Sequence, residues 1–138
     1  RDEVNPQAGI DCAQDIYNQA GITNPLKEID CAEIYVPFSW YEPMWLENLG
    51  FCELGEGWKL TDQGATAMGG EMPFNMSGGV LSSNPIGASG MIRFGEAALQ
   101  VMGLGEDHQV DGAKVAMGHA YGGAAQFFAM WIVSSSPD

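Results

Sequence analysis

Apolar residues Cys12, Ile16 and Ala20 recur at steps of four, with Ala13 and Tyr17 beside them. That spacing predicts a helix over Ala8 to Ala20 with one buried stripe, ended by Gly21. Asn24-Pro25 reads as a turn, and IDCAEIYVPF (Ile29 to Phe38) as a strand stopped by Pro37, which has no N–H for a ladder. A second helix follows, with Ser39 as its cap, a body running through Trp45 to Leu49, and Gly50 as its end. Glu53 to Met76 carries five glycines and no clear period, the pattern of a long functional loop. Gly79 to Ser83 suits a short strand. Ala88, Met91, Ile92, Gly95, Ala98, Leu99 and Met102 then give a helical stripe at i, i+3, i+4 spacing. HQVDG (His108 to Gly112) is a turn and AKVAMG (Ala113 to Gly118) a strand. AAQFFAMWIV (Ala124 to Val133) is a continuous apolar strand, long enough for the centre of a sheet. HAYGG joins the last two strands as an antiparallel hairpin. The order of elements predicts the α/β class, a mixed sheet covered by helices. A chain opening on a helix also lacks the strands that ordinarily precede one in such a layer.

Composition narrows the function classes. The 138 residues fit one domain, 46% of them hydrophobic, and no apolar run approaches the ~20 residues that span a bilayer. A soluble protein is expected. The first residue is Arg1 rather than Met and a polar segment follows, so a start inside a longer polypeptide is expected rather than a signal peptide. Net charge is −13, and the five basic residues, Arg1, Lys27, Lys59, Arg93 and Lys114, are scattered. Nucleic acid is excluded as a partner, because phosphate neutralisation needs grouped Lys and Arg. For a phosphate-bearing ligand, most positive contacts would have to come from another chain or domain. Cys12, Cys31 and Cys52 have no C-x-x-C spacing and suggest neither a disulfide framework nor a metal site. Each suits a small apolar filler, and a reducing cytoplasm is the natural setting.

Two glycine-rich segments carry the candidate chemistry. GGVLSSNPIGASG (Gly78 to Gly90) precedes the clearest helix, whose unpaired N-terminal N–H groups can hold a carbonyl or carboxylate oxygen. It has neither the G-K-[ST] of a P-loop nor a G-x-G-x-x-G fingerprint. The plainer reading is that Gly78, Gly79, Gly87 and Gly90 permit tight turns and close helix packing. GHAYGGAA (Gly118 to Ala125) carries His119 and Tyr121, and its paired glycines can expose the Gly122 amide as an oxyanion donor. A histidine at a hairpin tip is more often simply solvated or bonded to backbone.

Together, AEIYVPFS, MSGGVLSSNPIGASGMIRFGEAALQ and QVDGAKVAMGHAYGGAAQFF resemble the C-terminal half of the thiolase superfamily, nearest the sterol-carrier and lipid-transfer type. The resemblance covers Ala8 to Val133. The family's corresponding motifs are N-E-A-F or H-D-C-F, a G-H-P-x-G-A-[ST]-G loop, and C-x-G or H-N-x-G. The departures lie at the chemical positions. Asn84 stands where the family has the G-H-P histidine, Ser83 where it has the preceding glycine, Ala120 where it has the C-x-G cysteine, and Tyr35 where it has the N-E-A-F asparagine. An amide can donate a hydrogen bond but cannot shuttle a proton near neutral pH. The family's nucleophilic cysteine belongs to the other half of its fold, so this chain alone is not expected to form an acyl-enzyme.

The resemblance implies a single thiolase-like domain over 1–138, a fragment or subunit completed by an N-terminal thiolase half or a partner subunit, in a homodimer or larger hetero-oligomer. It implies that a carbon–carbon bond in a coenzyme A thioester is made or broken, by acyl transfer or by retro-aldol cleavage, with acyl-CoA as substrate and no permanently bound cofactor or metal. The implied catalytic set is Tyr35, Asn84, His119, Tyr121 and Gly122, with Asn84 and Gly122 on a carbonyl oxygen and His119 or Tyr121 carrying protons. Gly78, Gly79, Ser83, Gly87 and Met76 would contact substrate. The alternative is a scaffold or acyl-binding subunit that has lost its chemistry. Of the remaining residues, Trp40, Tyr41, Met44 and Trp45 suggest core or subunit contact, and Glu53, Glu56 and Asp62 a solvated loop face. Met68, Met72 and Met76 suit a variable acyl chain.

Overall fold

A computed structural model describes residues 2–136. The elements run α1 (Gln7–Ala20), α2 (Pro25–Glu28), β1 (Cys31–Ile34), α3 (Tyr41–Asn48), α4 (Gly57–Asp62), α5 (Gly79–Ser82), α6 (Ile86–Met102), a 3-10 turn (Glu106–His108), β2 (Val115–Gly122) and β3 (Phe127–Ser134). Strand order is β1-β2-β3, with β1 parallel to β2 and β2 antiparallel to β3, which is the mixed sheet the pattern predicts. The apolar run of β3 lies at the edge of this order rather than at its centre; β2 is central.

On α1 the buried residues are Gly9, Ala13 and Tyr17, beside the step-of-four positions, of which Cys12 and Ile16 are half-buried and Ala20 is exposed; Gly21 ends the helix in the left-handed conformation that a residue without Cβ adopts readily. The main core gathers Tyr17, Ile34, Trp45, Leu46, Leu49, Phe51, Met72, Phe74 and Met117 beneath one sheet face. Strand β1 is shorter than its apolar run because Tyr35 leaves the ladder. The Tyr35 N–H points to His119 Nδ1 at 3.3 Å, and its carbonyl accepts from Trp45 Nε1 at 2.9 Å. Side chains thus satisfy the backbone where pairing stops. The helix after it is capped at Trp40 rather than Ser39, with no side-chain bond to the cap.

Three further expectations change. The glycine-rich stretch from Glu53 to Met76 contains α4 and adds Phe74 to the sheet by a parallel bridge to Ala32, while Met72 is wholly buried in the core. Gly79 to Ser82 is a short helix, not a strand. Its entry needs positive φ at both Gly78 (90°) and Gly79 (58°), a conformation costly for residues bearing a Cβ.

The third change concerns the face of α6. Met91, Ile92 and Met102 point outward, with Met91 68% exposed, and the buried residues are Ser89, Arg93, Ala97 and Gln100. Each polar side chain of that inner face has a partner, although the Arg93 Nε has none among the described residues. Gln100 takes the Val110 N–H at 2.7 Å and donates to the His108 carbonyl at 2.8 Å. Arg93 meets Glu33 at 2.6 Å and Ser77 Oγ at 3.1 Å. Small residues do the rest, since a Cβ on Gly90 would stand 2.7 Å from the Ala120 Cβ. Polar groups are buried where they are satisfied, and the apolar stripe is left uncovered on this chain.

Candidate functional site

The loop before α6 and the β2–β3 hairpin meet at one end of the sheet. Between them lies an open cleft of about 290 Å³, floored by Gly87, Gly90, Ala120 and Gly122 and walled by Tyr35, Tyr121, Ile86, Phe127, Phe128 and Ala129. Larger grooves exist, including one of about 610 Å³ against α1 and the end of α3, but no motif residue lines it. We take the smaller cleft as the site because chemistry, not volume, distinguishes it.

The rings of Tyr35 and Tyr121 pack against each other at the cleft wall, with centroids 5.7 Å apart. The Tyr35 hydroxyl donates to Asn84 Oδ1 at 3.3 Å, and the buried Ser89 Oγ donates to the same oxygen at 2.6 Å. With Oδ1 engaged twice, the Asn84 Nδ2 is the end that remains to donate. Asn84 itself is exposed, on a run from Leu81 to Ala88 in which every residue is exposed. The first N–H groups of α6 open in the same place, since no side chain caps the helix. Gly87 lines the cleft and has nothing within 4 Å of where a Cβ would stand, so packing does not require a glycine there.

Behind the cleft, the glycine loop is anchored to the sheet. Glu33 Oε1 takes the Ser77 N–H at 3.0 Å, and Glu33 Oε2 takes Ser77 Oγ at 2.8 Å and Arg93 Nη1 at 2.6 Å. Burial pushes the Glu33 carboxyl above the usual carboxylate range, and Arg93 and Ser77 pull it back in part. The pair ties β1, the loop at Ser77 and α6 into one unit. The hairpin turn is held less comfortably. Gly123, Ala124 and Ala125 all have positive φ (62°, 48° and 63°), which for the two alanines is strained backbone beside the cleft.

The predicted residues separate into two groups. Tyr35, Tyr121, Gly122 and Gly87 line the cleft, and Asn84 adjoins it through its bond to the Tyr35 hydroxyl. Gly78, Gly79, Ser83 and Met76 do not line it. His119 is not at the hairpin tip: it lies inside β2 opposite Met130 and is fully buried, its ring 5.0 Å from that of Trp45. Burial lowers its pKa to about 3, so the imidazole is neutral. Accepting at Nδ1 from Tyr35 puts the hydrogen on Nε2, which has no hydrogen-bond partner among the described residues. Residue types alone passed over Ser89, although it stands in the GASG of the glycine loop. They also passed over Tyr41, whose hydroxyl lies 3.3 Å from that of Tyr121; its spacing of four from Trp45 was the available signal.

No cysteine reaches the cleft. Burial pushes the Cys31 thiol up to about 12 and the Cys52 thiol up to about 11, and raises Cys12 as well, so all three are poor nucleophiles. Among the described residues no three His, Cys, Asp or Glu side chains group as metal ligands, and no helix is long and apolar enough to cross a membrane.

Comparison with known proteins agrees with these motifs. The family model described as thiolase C-terminal domain-like matches residues 1–135. An acetyl-CoA acetyltransferase of Methanothermobacter thermautotrophicus is 33% identical over 97% of this chain and 35% of its own length. Sterol carrier protein 2 of Homo sapiens is 37% identical over 81% of this chain and 20% of its own. Benzoylsuccinyl-CoA thiolase subunit BbsB of Thauera aromatica is 31% identical over 91% of this chain and 33% of its own. Among solved structures, the Ltp2-ChsH2(DUF35) aldolase superposes with a TM-score of 0.77 at 25% identity, covering 94% of this chain and 32% of that one. The chain thus spans between a fifth and about a third of the length of these relatives. Motif order, fold and family match agree, and the chain belongs to the thiolase C-terminal domain-like family.

Proposed function

We propose that this chain is the C-terminal half of a thiolase-fold enzyme that cleaves a carbon–carbon bond in a coenzyme A thioester by a retro-aldol reaction. The observation that carries the reading is the convergence of Tyr35, Asn84 and Tyr121 on one cleft that no thiol or titrating imidazole reaches. Acyl transfer by the thiolase route needs an attacking thiolate and an acid/base partner. A retro-aldol reaction needs a base and an oxyanion site but no attacking thiolate. A base takes the proton of the β-hydroxyl, the bond between the α and β carbons breaks, and its electron pair passes to the thioester enolate, which is then protonated at the α carbon. The products are an aldehyde or ketone and a shortened acyl-CoA. One of the two tyrosines, as the phenolate, takes the alcohol proton and the other, as the phenol, returns one to carbon, so that the pair ends with the two forms exchanged. The Asn84 amide and the Gly122 N–H stabilise the enolate oxygen. Acyl-CoA relatives and an aldolase neighbour support this substrate class and this reaction.

The remaining parts lie beyond this chain. The outward apolar face of α6, with Ile86, Met91 and Met102, is the surface for an N-terminal thiolase half. That half, or a further subunit, supplies cationic contacts to the coenzyme A phosphates, which a chain of net charge −13 does not offer. A cytoplasmic homodimer or hetero-oligomer fits such an assembly.

The test is turnover of a β-hydroxyacyl-CoA by the complete protein, following the carbonyl product and free coenzyme A together. Release of aldehyde or ketone without consumption of free coenzyme A, with kcat falling about 10²-fold or more in Tyr35→Phe and Tyr121→Phe, supports the proposal. Strict dependence on free coenzyme A assigns thiolysis instead. Absence of acyl-CoA binding by calorimetry leaves the scaffold reading.

A further inference from the structure

Tyr121 is surrounded by rings, at centroid distances of 5.7 Å to Tyr35, 5.9 Å to Tyr41, 5.6 Å to Trp45 and 5.9 Å to Phe128. Of these neighbours Tyr41 adds something packing alone does not require, a hydroxyl 3.3 Å from the Tyr121 hydroxyl. Tyr41 opens α3, and its ring is held on three sides, by Trp40 at 4.3 Å, Trp45 at 5.5 Å and Phe38 at 5.8 Å. It is a phenol in a fixed place, on an element that contributes nothing to the cleft lining. Trp45, four residues on, fixes the Tyr35 carbonyl. One short helix therefore braces both cleft tyrosines, each through a single polar atom.

We infer that Tyr41 is a positioning residue for Tyr121, donating its hydroxyl hydrogen to Tyr121 Oη so that the Tyr121 O–H is turned towards the cleft. The inference rests on the reading of Tyr121 as a proton carrier. Oxygen that accepts from one phenol becomes a better donor through its own hydrogen, because successive hydrogen bonds polarise one another. The same donation stabilises the phenolate left when Tyr121 has given its proton up. A separation of 3.3 Å is long for two hydroxyls, as is common for catalytic contacts before substrate is bound. No covalent step is added by Tyr41: its hydrogen stays on its own oxygen throughout.

Tyr41→Phe tests this in the complete protein, because it keeps the ring contacts and removes one oxygen. Two readouts are taken: steady-state kinetics with a β-hydroxyacyl-CoA, and the Cζ resonance of Tyr121 in protein labelled at tyrosine Cζ, identified by its loss in Tyr121→Phe. The expected result is a kcat lower by about 3- to 10-fold, the worth of one net hydrogen bond, with KM unchanged and the Tyr121 resonance displaced. An unmoved resonance overturns the contact. An unchanged kcat, where Tyr121→Phe inactivates, overturns the positioning role while leaving Tyr121 as proton carrier. Full activity in Tyr121→Phe refutes the reading of Tyr121 itself, and the role of Tyr41 falls with it.

Discussion

Acidification strikes this fold through His119. The imidazole is fully buried against Trp45 and Phe128, and desolvation lowers its pKa from about 6.5 in an unfolded chain to about 3. The sign follows from proton counting. Between those values the unfolded chain binds a proton that the folded chain refuses, so the stability His119 contributes is complete above about pH 6.5 and is lost as pH falls towards 3. At about 1.4 kcal/mol per pH unit, the loss is about 2 kcal/mol by pH 5, about 3 by pH 4 and about 5 at the limit. Other groups act in the opposite sense. Glu33 has a raised carboxyl pKa, which favours the folded state as its range is crossed downwards, and the self-repulsion of 18 acidic against 5 basic residues relaxes in acid. A difference measurement removes both. His119→Asn keeps an acceptor in the place of Nδ1 for the Tyr35 N–H and cannot titrate. Urea unfolding at pH 7, 6, 5 and 4 is expected to show wild type losing about 2 kcal/mol relative to the variant between pH 7 and 5. Parallel stability curves for the two proteins would refute the reasoning. So would a ring resonance of His119, one of two histidines in the chain, that titrates between pH 5 and 7 in the folded protein.

The buried Glu33–Arg93 pair gives a second prediction: Arg93→Met strands a carboxylate that is 3% exposed and costs about 3–5 kcal/mol, read from denaturant midpoints. Adding Glu33→Leu to that variant restores most of the stability, since an apolar pair leaves no uncompensated charge. Gly90→Ala is expected to destabilise by about 1–3 kcal/mol and to lower turnover, because its Cβ meets that of Ala120 at 2.7 Å and forces α6 off β2 at the cleft floor. Gly87→Val, three residues earlier on the same helix, has open space around its Cβ; it leaves the melting temperature within a few degrees while blocking acyl-CoA binding in calorimetry.

Much of the fold was legible because local rules and tertiary packing agreed. The step-of-four stripe and Gly21 delimit α1, and the apolar runs around HAYGG form the antiparallel hairpin. The segment from Glu53 to Met76 was not legible, because glycines set its turns while distant partners, Ala32 for Phe74 and Glu42 for Thr66, set its place. The site divided in the same way. Tyr35, Asn84 and Gly122 were marked by motif position alone, since the glycine loop and the hairpin carry their spacing in the chain. His119 was misplaced because the boundary of β2 decides whether that residue is tip or core, and pairing with β3 extends the strand to Gly122.

The sequence by itself determined α1, β1, α3, α6 and the closing hairpin in their order, the mixed α/β class, the loss of thiol and imidazole from the motif positions and the net acidity. Only the tertiary structure decided which way α6 faces. Its period gives an apolar stripe and a polar stripe with equal clarity, and periodicity cannot say which one meets the sheet. Glu33, 60 residues from Arg93 in the chain, settles the question, because an arginine with a carboxylate and a serine waiting for it can be buried, and the apolar stripe is then the one that turns outward.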